Sequence, residues 1–246
     1  MRYKLSFKKS DEQNSALPLH HQNLLAESIK AVSAGMQVDK ASLNFSSLKG
    51  TSRVMNGLIR FLSTKISLSI ASNNDSFATE LVEKIMQLPA LEVGEIKLIP
   101  KKSDIVMDPV FSSKMKYISI SPLILRVEQG IANENNFVEP TSVDFSDELF
   151  HSLMDRMEKA GFTAAQLDDY QVFALTPDKE YLAKSSSSSR KIARLYSDTH
   201  GTEYLGYLFP FTLHAHPDVQ KFVWDCGIGI LNEEGYGMID VAERQF

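Results

Sequence analysis

The stretch Asp225–Val241, DCGIGILNEEGYGMIDV, carries four glycines in two G-x-G pairs, Gly227/Gly229 and Gly235/Gly237. Five residues separate the pairs, and the stretch closes on an apolar, strand-like YGMIDV. Glycine is needed where the backbone takes positive φ or comes close to another group. Successive amides in such a loop can form a concavity that binds anions. The stretch therefore reads as a phosphate-holding loop; the alternative is a helix C-cap at Gly227 followed by a turn. Two familiar phosphate loops are excluded. A dinucleotide fingerprint runs from strand to helix, whereas these glycines follow the helical PDVQKFVWDCG and precede a strand. The closing Gly-Lys-Ser/Thr of a P-loop is missing.

Working outward, RYKLSF alternates Tyr3, Leu5 and Phe7 against Arg2, Lys4 and Ser6, the period of a half-buried strand. HHQNLLAESIKAVSAG has helical spacing, with Leu24, Leu25, Ile29 and Val32 on one face and Gly35 at its end. KISLSIAS alternates again, and the preceding VMNGLIRFLS is expected to be its partner strand. SFATELVEKIMQLP is a helix with Ser76 as the expected N-cap and Pro89 beyond its end. GEIKLIP follows as a strand, so the first half reads β-α-β-β-α-β. The second half repeats that order: KYISISPLILRV interrupted at Pro122, the helix DFSDELFHSLMDRMEKAGF, the strands YQVFALTP, RKIARLYS and EYLGYLFPFTLHAH, the helix from Pro217, and YGMIDV. The expected class is α+β, two tandem ferredoxin-like domains over 1–115 and 116–246 with a C-terminal glycine-rich loop. Ser185–Ser189 is low-complexity, expected as a mobile tip or hairpin arm.

At 246 residues, 43% hydrophobic and 23% charged, the composition is that of an ordinary globular protein. No apolar run approaches the ~20 residues of a membrane span. MRYKLSFKKS has charge but no apolar core, which argues against a secretory signal. The single Cys226 excludes an internal disulfide and a paired-cysteine zinc site, and a cytoplasmic location is expected. The net charge of −5 argues mildly against a nucleic-acid binder, but the charge is unevenly spread. Lys40 to Asn74 holds Lys40, Lys49, Arg53, Arg60 and Lys65 with no acidic residue, and Lys184, Arg190, Lys191 and Arg194 form a second acid-free run. Nine carboxylates gather between Glu134 and Asp169. A polyanion meets the local face rather than the net charge.

The glycine-rich loop, with an aromatic at Tyr236 and M-I-x-V near the C-terminus, resembles the C-terminal motif of the RAMP superfamily. Within it, the chain resembles the CRISPR-associated repeat-processing endoribonucleases, the Cas-six family. MRYKLSF, then LPLHHQNLLAESI, is similar to that family's first strand and the lead-in to its first helix. LKG (Leu48–Gly50) sits where the family has a short Lys-Gly turn, and ISPLILR is similar to the strand that opens its second domain.

The resemblance implies cleavage of pre-crRNA within each repeat without a metal or cofactor. The ribose 2′-hydroxyl attacks the adjacent phosphate, leaving a 2′,3′-cyclic phosphate and a 5′-hydroxyl. Such chemistry needs a base, an acid and a cation on the transition state. Here the chain departs from the pattern. Many members carry a histidine shortly before the Lys-Gly turn; this chain has LNFSSLKG, with Ser46 at that place and no histidine between His21 and His151. Candidate catalytic residues are therefore His20, His21, Ser46 and Lys49. Candidate RNA contacts are Arg53, Lys101, Lys102, Arg190, Lys191, Arg194 and the glycines Gly227, Gly229, Gly235 and Gly237. The implied partner is CRISPR repeat RNA, with other Cas proteins of an effector complex and a homodimer left open, and no membrane. Two alternatives stay open: a RAMP protein that holds RNA without turnover, and a small phosphorylated ligand on the glycine loop. His214 and His216 have H-x-H spacing, but no surrounding ligand pattern supports a metal.

Overall fold

The computed structural model describes residues 1–10, 16–36, 43–126, 137–187, 193–197 and 203–242. In the N-terminal half, β1 (Arg2–Lys9) lies between β6 (Lys65–Ser72) and β8 (Ile96–Val106), antiparallel to both. β3 (Leu43–Phe45) extends the sheet beyond β6, and β7 (Leu91–Val93) extends it beyond β8. Helices α1 (Gln22–Val32) and α2 (Asp75–Gln87) connect these strands. With β7 set aside as an edge hairpin, the strands run second-third-first-fourth, the ferredoxin-like arrangement. Strand alternation buries Leu5, Phe7, Ile66, Leu68 and Ile70, and the helices close over them with Leu25, Ile29, Leu81 and Ile85. Burying such side chains stabilises the half by roughly 1.5–3 kcal/mol each.

The C-terminal half repeats the arrangement. β9 (Lys114–Ser119) sits between β14 (Pro210–His214) and β15 (Ile239–Val241), with β11 (Ala174–Pro177) beyond β14. Its core joins Tyr117, Phe211 and Leu213 to Phe145, Leu149, Leu153 and Met157 of α3 (Phe145–Lys159) and to Val219, Phe222 and Val223 of α6 (Pro217–Cys226). Both halves are α+β with antiparallel sheets, as the element order predicts.

Three local expectations are corrected. VMNGLIRFLS is not the partner of KISLSIAS. It folds on itself as the hairpin β4 (Ser52–Met55) and β5 (Leu58–Phe61), turned at Asn56 and Gly57 with φ of 51° and 74°. Asn-Gly is the residue pair that a two-residue hairpin with both φ positive favours. The hairpin joins the short β2 (Leu17–Pro18) in a separate three-stranded sheet. EYLGYLFPFTLHAH divides into β13 (Glu203–Tyr207), which pairs with β10 (Leu123–Ile124) and β12 (Ala193–Ser197), and β14 in the main sheet. Asn74, not Ser76, caps α2: its side chain accepts from the Phe77 amide at 3.0 Å.

Ser185–Ser187 close helix α5 (Lys179–Ser187), and Ser188 and Ser189 lie outside the described residues. No helix among the described residues is long and apolar enough to cross a membrane.

The cap assignment has a direct consequence. Asn74→Ala should lower stability by about 1 kcal/mol, read as a shift of the urea midpoint without a change of slope. Ser76→Ala, in the first turn and exposed, should stay within about 0.5 kcal/mol of wild type.

Candidate functional site: the turn around Lys49 and the glycine-rich loop

Four segments converge on one region of the N-terminal half: the start of α1, the turn after β3, the β4–β5 hairpin and the glycine-rich loop. β2 leads directly to His20 and His21 and pairs with β5, so the two histidines are tied to the hairpin. The His21 ring meets Phe61 of β5 edge-on, with centroids 6.4 Å apart. Gly50 presses on the same residue: a Cβ there would lie 3.2 Å from the Phe61 ring and 2.9 Å from Ser63 Oγ. Lys49 is exposed, and its backbone pairs with Ser67 of β6 in both directions, 2.9 and 2.8 Å. Arg53 is exposed on β4, directly across from Arg60 of β5. His21 and Gly50 thus meet on Phe61, with His20 and Lys49 their chain neighbours and Arg53 on the adjoining strand.

The two histidines differ. His20 is exposed. His21 is buried, its Nδ1 3.3 Å from the Pro18 carbonyl and its Nε2 without a hydrogen-bond partner among the described residues. Burial pushes its pKa down to about 4, against smaller upward pulls from hydrogen bonds to the Pro18 and Leu19 backbone. The imidazole is neutral at neutral pH, with Nδ1 donating to the carbonyl and Nε2 left as an acceptor. Ser46 is different again. It is fully buried, and its hydroxyl donates to the Ser47 carbonyl at 2.9 Å and accepts from the Ser69 amide at 3.0 Å. The bond from Ser69 extends the join between β3 and β6, while the bond to Ser47 is local.

The glycine-rich loop is buried along both G-x-G pairs. All four glycines have φ between 70° and 84°. A Cβ at Gly227 would land on Asn44, at Gly229 on the Ile124 carbonyl, at Gly235 on Gln22 and Phe45, and at Gly237 on the Ile228 carbonyl. Positive φ and close approach are both real here, but the approaching groups are protein. The amides follow suit: Ile228 donates to Gly237, Ile230 to Ile124, Gly237 to Pro122, and Met238 to Ser121 Oγ, at 2.7–3.0 Å.

Three side chains that the sequence reading did not single out hold the loop. Arg156 of α3 donates to the carbonyls of Gly227 (3.0 Å), Gly229 (3.3 Å) and Cys226 (2.6 Å), and its pKa is pushed down to about 10 by burial. Asn44 of β3 donates to the Tyr236 carbonyl at 2.8 Å. Gln22, in the first turn of α1, donates to the Gly235 carbonyl at 2.8 Å and accepts from Ser47 Oγ at 2.8 Å. One buried amide therefore links the loop to the turn that carries Lys49. Asn44, a polar residue inside LNF, was the one visible signal; Gln22 and Arg156 sit at ordinary helical positions.

The remaining candidates lie elsewhere. Lys101 and Lys102 are on β8, separated from β6 by β1; Lys102 pairs with Asp104 at 2.6 Å. Arg194 belongs to β12, and Arg190 and Lys191 fall outside the described residues. His214 stands opposite Lys114 in the sheet, while His216 stacks on Tyr170 at 4.7 Å and caps α6.

Two measurements test this geometry. The unfolded His21 titrates near 6.5 and the folded one near 4, so the folded state binds fewer protons between these values. Stability is full above pH 6.5 and falls as pH drops toward 4, by roughly 3 kcal/mol at most. Urea unfolding at pH 7.5 and pH 5 should show this decline, and His21→Leu should make it shallower. Gly235→Ala should cost more than the roughly 1 kcal/mol of a positive-φ site with open space such as Gly35. Paired thermal melts of Gly235→Ala and Gly35→Ala decide whether contact with Phe45 and Gln22 adds to strain.

The C-terminal region of CRISPR associated protein Cas6, as a family model, matches residues 106–241. A CRISPR-associated endoribonuclease-like protein Cas6 of Pyrococcus furiosus is 22% identical over 187 residues, which cover 76% of this chain and 72% of that protein. Among solved structures, the product of a Cas6-related gene from Pyrococcus furiosus superposes with a TM-score of 0.82 at 17% identity, covering 100% of this chain and 99% of that one. A CRISPR associated protein Cas6 gives 0.79 at 20% identity, with 99% of each chain covered. An RAMP protein described as binding different RNA substrates gives 0.80 at 17% identity, covering 99% of this chain and 100% of that one. At these identities the structures establish a shared fold, and the family model, spanning more than half of the chain, makes this protein a member of the Cas6 family.

Proposed function

We propose that this chain binds CRISPR repeat RNA and cuts it once within the repeat. The 2′-oxygen bonds to the adjacent phosphorus, the bond from phosphorus to the 5′-oxygen breaks, and the products are a 2′,3′-cyclic phosphate and a 5′-hydroxyl. The observation that carries the reading is that the helix start with His20 and His21 and the Lys-Gly turn meet on Phe61 in a Cas6-family chain. A base takes the 2′-hydroxyl proton and an acid returns one to the leaving oxygen. His20, exposed at the lip of α1, is placed to exchange protons with solvent. His21 is neutral, but its unbonded Nε2 is buried, which leaves His20 as the better-placed base. Lys49 and Arg53 supply positive charge to the oxygens of the five-coordinate phosphorus, where charge builds up in the transition state.

A second reading is an RNA-holding member without turnover. Ser46 favours it, because a fully buried hydroxyl committed to the sheet stands where many relatives have a histidine.

The test is end-labelled repeat RNA incubated with the protein in EDTA, beside a copy with the scissile 2′-hydroxyl replaced by hydrogen. One cut in the all-ribose RNA alone is expected. Lys49→Ala should then lower the cleavage rate by 10²-fold or more with a smaller loss of affinity. Tight binding of both RNAs with neither cut would establish the second reading.

A further inference from the structure

Strand β8 outruns the sheet on one side. β1 pairs with it as far as Val106, whereas β7 pairs with it only over residues 96–98. From there on, the side of β8 away from β1 is an open edge. Among the described residues, no main-chain bond reaches residues 100–106 from any element but β1. An open edge is a template for a further strand, and proteins guard such edges with lysine, proline and bulges. All three are present: Pro100, Lys101 and Lys102, and a bulge at Lys101, which is passed over where Ser6 pairs with Lys102 and Phe7 with Pro100. Apolar surface is left open beside them. Ile105 is 59% exposed, and Met107 and Val110, just past the strand, are 84% and 94% exposed.

The guards turn away most strands but fit one. Two copies of a strand related by a two-fold axis pair antiparallel, with one residue opposite its own copy. Centred on Lys102, that arrangement opposes two lysines; centred on Asp104, it opposes two carboxylates. Like charges directly opposite destabilise a ladder. Centred on Ser103, it opposes two small, exposed hydroxyl side chains and sets each Lys102 across from Asp104 of the second copy. Ser103 is also the midpoint of residues 100–106, so this register uses the whole open edge and stops short of β7. Lys102 and Asp104 lie 2.6 Å apart within one chain, yet their side chains stay 69% and 47% exposed. Each carboxylate therefore has room for a second ammonium group.

We propose that the open edge of β8 pairs with the same edge of a second copy of this chain, antiparallel and centred on Ser103. The N-terminal sheets of the two copies then run on as one. The occupant is a second copy because the charge pattern Lys102-Ser103-Asp104 complements itself when reversed. Ile105, one residue beyond the charge pair, loses exposure against the added strand. One strand edge is a small contact beside a standard interface, so the dimer is reversible and depends on concentration. The pairing does not rest on the RNA reading, since it uses none of His20, His21, Lys49 or Arg53. It gives Lys102 a protein partner in place of RNA.

The experiment is sedimentation of the full chain over a range of about 1 to 100 μM, where a monomer–dimer equilibrium is expected. Asp104→Lys sets lysine against lysine on both sides of the axis and should weaken the dimer roughly tenfold. Lys102→Asp should do the same with carboxylates. Lys102→Asp/Asp104→Lys exchanges the partners and should restore the wild-type equilibrium, a rescue that damage to the fold would not give. Ser103→Cys tests the register. Directly opposed Cβ atoms lie about 5 Å apart, near enough for an added mild oxidant to join the two thiols after a small shift, while the native Cys226 is buried. A covalent dimer is expected. A chain that stays monomeric throughout overturns the proposal, as does a dimer that is indifferent to Asp104→Lys or fails to cross-link through Ser103→Cys. A monomeric wild type whose RNA affinity falls in Lys102→Asp would give the edge lysines to RNA and overturn it as well.

Discussion

Arg156 donates to three carbonyl oxygens of the glycine-rich loop, and the placement of everything around the loop depends on that convergence. A chain cannot ordinarily aim the carbonyls of residues 226, 227 and 229 at one point. It does so here because Gly227 and Gly229 both take positive φ, which a side chain would resist. The guanidinium in turn tolerates burial because carbonyl dipoles replace its water. Its removal would leave buried acceptors unpaired, at about 1–3 kcal/mol each. Held from below by α3, the loop is held from the other side by Asn44 and Gln22 of the N-terminal half. Arg2 adds a second join: it stacks on the Trp224 ring at 3.5 Å and donates to the carbonyls of Ile239 and Trp224.

The parts of the fold that were legible in the sequence are those governed by period. Tyr3, Leu5 and Phe7, or Leu149, Leu153 and Met157, announce their elements because one buried face fixes the spacing. The hairpin was misread for a local reason: VMNGLIRFLS is apolar enough to pass as one strand unless the Asn-Gly pair is given priority over hydrophobicity. Arg2 was assigned to the solvent side of β1 together with Lys4 and Ser6, yet it is only 2% exposed. Alternation gives the face correctly but not what covers it, and here the C-terminal half covers it. The links of Gln22 to Gly235 and Arg156 to Gly229 span 213 and 73 residues. No periodic pattern carries that information, so the residues that join the site to the loop stayed hidden while the glycines themselves stood out.

The loop's glycines look alike in sequence whether they approach a phosphate or another part of the chain, since both demand positive φ and no Cβ. What separates the two cases is where the amides point. In this chain Ile228, Ile230 and Gly237 donate to main-chain carbonyls. Exposed positive charge in this region is carried instead on side chains, with Lys49 on the turn and Arg53 and Arg60 on the hairpin. A charge on a long side chain adapts to a flexible polymer, whereas a ring of fixed amides suits one compact anion. The loop's backbone joins the halves rather than presenting its amides outward.

Gln22 is where the two parts touch. Its amide nitrogen satisfies Gly235 and its amide oxygen satisfies Ser47, two residues before Lys49. Only a primary amide supplies a donor and an acceptor from one planar group at these positions. A carboxylate would set a negative charge against the Gly235 carbonyl, and an apolar isostere would leave both partners buried without bonds. The same residue follows His20 and His21 on the first turn of α1, so its orientation also fixes the helix start that carries them. A displacement of the glycine-rich loop therefore cannot leave the histidines and the Lys49 turn where they were. The C-terminal half thus bears on the helix start and the Lys49 turn through Gln22, alongside the joins made by Asn44 and Arg2.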